Sequence, residues 1–120
     1  MENLELAGTD TTPAVNFNKE KNIFFIEGRS LMEDGDIFFA SSIAWFKEYA
    51  KSPNPKTELM IKLEYLNTQT SRQFLNLFKI LEAIPSSKIV WQFSDEDEDI
   101  EEMGQELAEL VSVPFEFRTT

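Results

Sequence analysis

Apolar residues recur along this chain with two periods, every second position in some stretches and every third or fourth in others. Leu4 and Leu6 alternate with polar neighbours and predict a short first strand, and Gly8-Thr9-Asp10-Thr11-Thr12-Pro13 is a polar connection. Ala14-Val15-Asn16-Phe17 and Ile23-Phe24-Phe25-Ile26 read as the second and third strands, joined as a hairpin by Asn18-Lys19-Glu20-Lys21-Asn22. Glu27-Gly28-Arg29-Ser30 then reads as the chain leaving the sheet. Over residues 35–50 the period lengthens: Phe38, Phe39, Ile43, Phe46 and Tyr49 mark one face of a first helix, widened by Trp45 and stopped by Ser52-Pro53-Asn54-Pro55.

Alternation returns over residues 57–66, with Leu59, Ile61, Leu63 and Tyr65 on one side and Lys62 and Glu64 on the other. Phe74, Leu77, Phe78 and Leu81 make the stripe of a second helix over 70–83, broadened by Leu75 and Ile80. Lys88-Ile89-Val90-Trp91-Gln92-Phe93 is nearly all apolar, as a buried interior strand is. A third helix over 96–111 carries Ile100, Met103, Leu107, Leu110 and Val111, and Phe115-Glu116-Phe117 closes the chain as a short strand. Strands first, then strand–helix alternation, predict an α/β fold. Its expected form is a single domain over residues 1–120, with a mixed sheet of about five to six strands and three helices mainly on one face.

Composition narrows the function. Hydrophobic residues are 42% of the 120, and eleven Phe with two Trp and two Tyr supply a bulky core, so the chain is not a disordered one. Most of those Phe residues belong to that core, with a few on the first two helices expected at the surface. There is no cysteine and no histidine, which removes a thiol nucleophile, the Ser-His triad and the commonest zinc ligand. The expectation is a non-enzymatic protein without a cofactor. A net charge of −11 opposes direct binding to nucleic acid or to anionic membranes. No apolar run approaches a membrane span, and Met1-Glu2-Asn3-Leu4-Glu5-Leu6 lacks a signal-peptide layout, so a soluble cytoplasmic protein is expected.

The acidic run Asp95-Glu96-Asp97-Glu98-Asp99 invites a calcium reading, with Asp95, Asp97 and Asp99 spaced like the first three EF-hand ligands and Glu106 at the last. The position that needs Gly holds Ile100, a β-branched residue that also belongs to the third helix's apolar stripe. A helix N-terminus capped by Ser94 or Asp95, with acids complementing its dipole, fits better, and no metal site is assigned. The same run could serve as an acidic docking edge for a basic partner.

The turn Asn67-Thr68-Gln69-Thr70-Ser71, followed by Arg72, is the richest in chemistry. Hydroxyls where a strand passes into a helix lie beside free N–H groups that attract negative charge. Any of these side chains except Gln69 could be the N-cap, and local chemistry alone favours a plain cap. Phosphorylation there would add about −1.5 to −2 charges and change the surface rather than the interior.

Gly8-Thr9 with Thr12-Pro13, Gly28-Arg29-Ser30, Trp45 with Tyr49, Leu63-Glu64-Tyr65-Leu66-Asn67-Thr68, Asp97-Glu98-Asp99 and Pro114-Phe115 stand in an order that resembles the SiaC family of small bacterial regulators. The likeness spans nearly the whole chain. It implies a fold like the STAS-type anti-sigma-factor antagonists. It also implies a hydroxyl at this turn that a dedicated kinase phosphorylates and a PP2C-type phosphatase clears. In the unmodified form such a protein binds and activates a diguanylate cyclase, raising cyclic di-GMP and controlling biofilm formation. Thr68 matches the phosphorylated threonine, with Thr70 and Ser71 as alternatives, and Arg29, Ser30, Tyr65, Asn67, Thr68, Gln69 and Arg72 are the expected partner-binding residues. Leu31-Met32-Glu33-Asp34 departs from the family's aromatic-proline pairing after Gly-Arg-Ser. The rival reading is a constitutive adaptor, or an anti-sigma-factor-antagonist-like binding protein, whose hydroxyls only cap.

Overall fold

The alternating apolar positions of the chain bury one side of a single sheet. In the computed structural model, which describes residues 1–120, the elements are β1 (Leu4–Leu6), β2 (Ala14–Asn18), β3 (Ile23–Ser30), α1 (Gly35–Tyr49), β4 (Thr57–Leu66), α2 (Thr68–Glu82), β5 (Ser87–Phe93), α3 (Glu98–Glu109) and β6 (Phe115–Thr119). The six strands lie in sequence order. β1, β2 and β3 pair antiparallel, and β3 to β6 run parallel. Each parallel crossover carries a helix and moves one strand further in the same direction, which sets all three helices on one face. The mixed α/β architecture expected from the sequence is the one observed.

Beneath the helices lie Phe24 and Ile26 of β3, Leu59, Ile61 and Leu63 of β4, and Ile89, Trp91 and Phe93 of β5. Two aromatic groups fill this layer. Phe17, Phe24, Trp45, Phe46 and Tyr49 pack at one end, Phe74, Phe78, Trp91 and Phe115 at the other, and Phe39 adds to the second group through Phe74 at 5.5 Å between ring centroids. The Tyr49 hydroxyl is satisfied by Thr57 Oγ1 at 2.7 Å and by the Asn54 N–H at 3.1 Å. The opposite face of the sheet is uncovered and mostly polar. Glu58, Lys88, Glu116 and Arg118 form a chain of ion pairs across β4, β5 and β6 on it. Hydrogen bonding by Lys88 and then Arg118 holds the Glu116 carboxyl below its ordinary value, and Glu116 with Glu58 raises Lys88. Phe25, Met60 and Val90 make one apolar row at the centre of this face.

Three expectations need correction. β3 does not end at Ile26: Glu27-Gly28-Arg29-Ser30 continues it, pairing with β4 as far as Ser30↔Leu66. Gly28, at φ +119°, accommodates the backbone there, and Glu64 of β4 is bulged, so that Gly28 faces Leu63 while Arg29 faces Tyr65. The bulge breaks the alternation of β4. Leu66 takes the buried side, at 2% exposure, and Tyr65 is turned out to 54%. α3 is also shorter than expected, because Asp95-Glu96 belong to a turn and Asp97, not Ser94 or Asp95, caps the helix by accepting the Ile100 N–H at 3.2 Å. Finally, the Phe residues of α1 and α2 do not reach the surface. Phe39, Phe46, Phe74 and Phe78 are fully buried, Phe38 is half-buried, and the exposed apolar side chain on α1 is Ile37.

Candidate functional site

The strand–helix turn forms where β3 and β4 end side by side and α2 begins. Asn67 sits in extended backbone at φ −104° and ψ 178°, which frees its side chain to cap α2. Its Oδ1 accepts the Thr70 N–H at 3.0 Å and lies 2.9 Å from Thr70 Oγ1. Its Nδ2 donates to the Met32 carbonyl at 2.9 Å, and its own N–H reaches the Ser30 carbonyl at 3.2 Å. Thr70 Oγ1 and Ser30 Oγ are 2.6 Å apart. A consistent assignment runs the hydroxyl of Ser30 to Thr70 and that of Thr70 to Asn67. This chain is buried, so each link is strengthened by its neighbours and costly to break. Met32, where the chain departs from the family pattern, is buried and supplies one of the acceptors.

The hydroxyls at the turn therefore have different environments. Ser30 and Thr70 are both 0% exposed and bonded to each other, so neither is open to another protein in this conformation. Thr68, the first helical residue, is exposed, while Ser71 is half-buried. Gln69 is half-buried because α1 begins against it: a Cβ on Gly35 would sit 3.2 Å from the Gln69 Cβ. Around Thr68 the exposed groups are Tyr65 before it, Arg72 one helical turn after it, and Arg29 opposite Tyr65 in the ladder. Neither arginine takes part in an ion pair. The first turn of α1 carries Asp36 and that of α3 carries Glu98, Asp99 and Glu101, whereas the first turn of α2 carries no acid. The positive groups beside Thr68 are the helix N-terminus itself and Arg72.

Of the residues expected to bind a partner, Arg29 pairs with Tyr65 in the β3–β4 ladder, and Asn67, Thr68, Gln69 and Arg72 follow in the cap and first turns of α2. Sequence reasoning did not anticipate that Ser30 is the inward anchor of the turn, because its partner Thr70 is distant in sequence. It also missed Ile37, whose exposure of 71% follows from its place on the outer side of α1. The acidic run lies next to the turn, where Glu64, Tyr65, Asp97, Asp99, Glu102 and Glu106 line a cleft of about 380 Å³. From Glu98 onward that run is helical, which is not the conformation of an EF-hand loop. No helix is long and apolar enough to cross a membrane.

The buried hydroxyl pair has a measurable consequence. Thr70→Val keeps the shape but strands Ser30, and should lower stability to urea unfolding by about 1–3 kcal/mol. Ser30→Ala together with Thr70→Val should cost clearly less than the two single losses added. Strictly additive losses would show that the pair is not a unit.

Comparison with known proteins bears on the family and the fold. The model of a family described as "SiaC family regulatory phosphoprotein" matches residues 6–120. One relative, "Uncharacterized protein PA14_02130" of Pseudomonas aeruginosa (strain UCBPP-PA14), is 25% identical over 119 residues, spanning 96% of this chain and 94% of its own. Among solved structures, apo-SiaC from Pseudomonas aeruginosa superposes with a TM-score of 0.88 at 24% identity, over 98% of this chain and 99% of that one. A chain in the crystal structure of the diguanylate cyclase SiaD in complex with its activator SiaC, from the same organism, superposes with a TM-score of 0.89 at 24% identity, over 98% and 99%. At these identities the structures establish a shared fold.

Proposed function

This chain belongs to the SiaC family, and on that footing we propose that it is a non-enzymatic phospho-switch regulator acting at Thr68. A partner kinase phosphorylates Thr68 and a PP2C-type phosphatase clears it. The unmodified protein binds and activates a diguanylate cyclase in the cytoplasm, raising cyclic di-GMP and so controlling biofilm formation. The observation that carries this reading is the sorting of the hydroxyls. Thr68 is exposed beside an acid-free helix N-terminus, while Thr70 is buried and spent on the cap.

Docking in the unmodified state would use the exposed Tyr65 and Ile37 as apolar anchors, with Arg29 and Arg72 free to meet acidic groups. Gln69 and Asn67 shape the turn, with Ser30 and Thr70 supporting it from within. A dianion at Thr68 would stand between Tyr65 and Arg72 along the chain. It would draw Arg72, four residues on, toward itself and away from a partner. The interior bonds of Asn67 would be untouched, so the switch would act by closing a surface and not by unfolding the domain.

Intact-mass and fragment spectra of the protein isolated from its native host test the reading. The expected result is a phosphate on Thr68 in a fraction of the molecules that changes with growth condition. If no condition places phosphate on residues 67–71, the turn is only a cap and the protein is a constitutive adaptor.

A further inference from the structure

The outer edge of β6 is an unpaired strand edge whose chemistry is complementary to itself. Parallel pairing with β5 uses the even-numbered positions: Ile89 donates to the Pro114 carbonyl at 2.9 Å and Thr120 donates to the Phe93 carbonyl at 3.0 Å. Phe115, Phe117 and Thr119 therefore turn their N–H and C=O groups outward. No helix packs along this edge, for α3 lies over β4 and β5. Natural edges are commonly blunted by bulges, charges, proline or extreme shortness, as β1 is with its three residues; the charges on β6, Glu116 and Arg118, are of opposite sign and so do not repel a second copy. β6 has five residues in unbroken register with β5, and Phe117 on it is 39% exposed.

We propose that β6 pairs antiparallel with β6 of a second copy of this chain, about a two-fold axis at Phe117, joining the two sheets into one. In that register Phe117 faces Phe117 of the second copy and Phe115 faces Thr119, as three hydrogen-bonded pairs that satisfy all the outward groups. Glu116 falls opposite Arg118 of the second copy, and Arg118 opposite its Glu116, at the non-hydrogen-bonded positions where side chains approach most closely. The ion row Glu58, Lys88, Glu116 then continues into Arg118 of the second copy without a break in alternation of sign. Moving the axis to Glu116 would set the two Glu116 residues against each other, and moving it to Arg118 would oppose the two arginines. Both arrangements are repulsive. Charge selects the register, and it selects self-pairing. Strands of five residues bury little area, well below that of a standard stable interface, so the dimer is weak and depends on concentration.

Sedimentation equilibrium of the full chain from about 10 μM to about 1 mM reads this directly. The expected mass rises from one chain toward two. Arg118→Glu, which places acid against acid twice, should weaken association about tenfold or more, and Glu116→Arg with Arg118→Glu should restore it. The chain has no cysteine, so a single introduced one reports register cleanly. Phe117→Cys places two thiols across a pair with Cα atoms about 5.5 Å apart and should cross-link on oxidation, whereas Thr119→Cys should not. A mass of one chain at every concentration, equal cross-linking of the two cysteine variants, or unchanged association of Arg118→Glu would each overturn the proposal. So would finding that this edge stays single until a strand of a different protein fills it.

Discussion

If the proposed switch operates, replacing Thr68 by Asp is expected to weaken binding of the proposed diguanylate cyclase partner by at least roughly 30-fold, and true phosphorylation by more. Thr68→Ala should bind as the unmodified protein does. Thirty-fold is about 2 kcal/mol, the lower end of what a charge mismatched with a partner costs. Folding stability should scarcely move. Thr68 is exposed, the capping bonds belong to Asn67 and Thr70, and an acid at a helix N-terminus contributes only about 0.3–1 kcal/mol in its favour. Titration calorimetry against the cyclase, its turnover, and thermal melts of the same samples make the comparison. Equal binding by the Asp variant and the parent would remove Thr68 from the docking surface. A clear loss of stability in Thr68→Ala would instead assign it to the cap.

A large expected effect on stability lies elsewhere, at Gly104. In an exposed helix interior, Gly→Ala gains about 1 kcal/mol. Here a Cβ would lie 2.5 Å from Trp91 Nε1 and 2.6 Å from its Cδ1, well inside contact distance. The indole has nowhere to go, being 1% exposed and held by its N–H to the Ile100 carbonyl at 2.9 Å. α3 must lift from β5 or the ring must leave its place, and overpacking of this kind costs up to about 3 kcal/mol. Gly104→Ala should therefore destabilise the protein by about 2 kcal/mol net in urea unfolding. Gly35→Ala, whose Cβ would meet Gln69 at 3.2 Å, should cost less. A Gly104→Ala variant as stable as the parent would mean that α3 rides loosely on the sheet.

Much of this arrangement is legible in the sequence because burial imposes a period. Leu59, Ile61 and Leu63 announce β4, and Phe74, Leu77, Phe78 and Leu81 announce α2, since a one-sided sheet and a covering helix require those spacings. The end of β3 is not legible. Glu27-Gly28-Arg29 has the composition of a turn, and its pairing is fixed by β4 across the sheet. The cap was ambiguous for a related reason. Asn67, Thr68, Thr70 and Ser71 all have capping chemistry, and the choice was made by Ser30 and Met32, which reach the turn only through the fold. The acidic run hid its cap in the same way, every acid being a candidate until Ile100 found its place in the core at 4% exposure. Family likeness singled out Thr68. The burial of Thr70 gives a physical reason for that preference.

The bulge at Glu64 also bears on how this segment can change over evolution. It acts as a one-residue phase slip, after which inside and outside trade places along β4. Without it, Tyr65 would turn inward, Leu66 would face water, and Asn67 would point away from Met32 and Thr70. Residues 64–68 look like the border of a loop, where insertions and deletions are ordinarily harmless. In this chain their number is fixed while several of their identities are free. Lineages should therefore vary the exposed side chains here, retuning which partner is met, and keep the residue count constant.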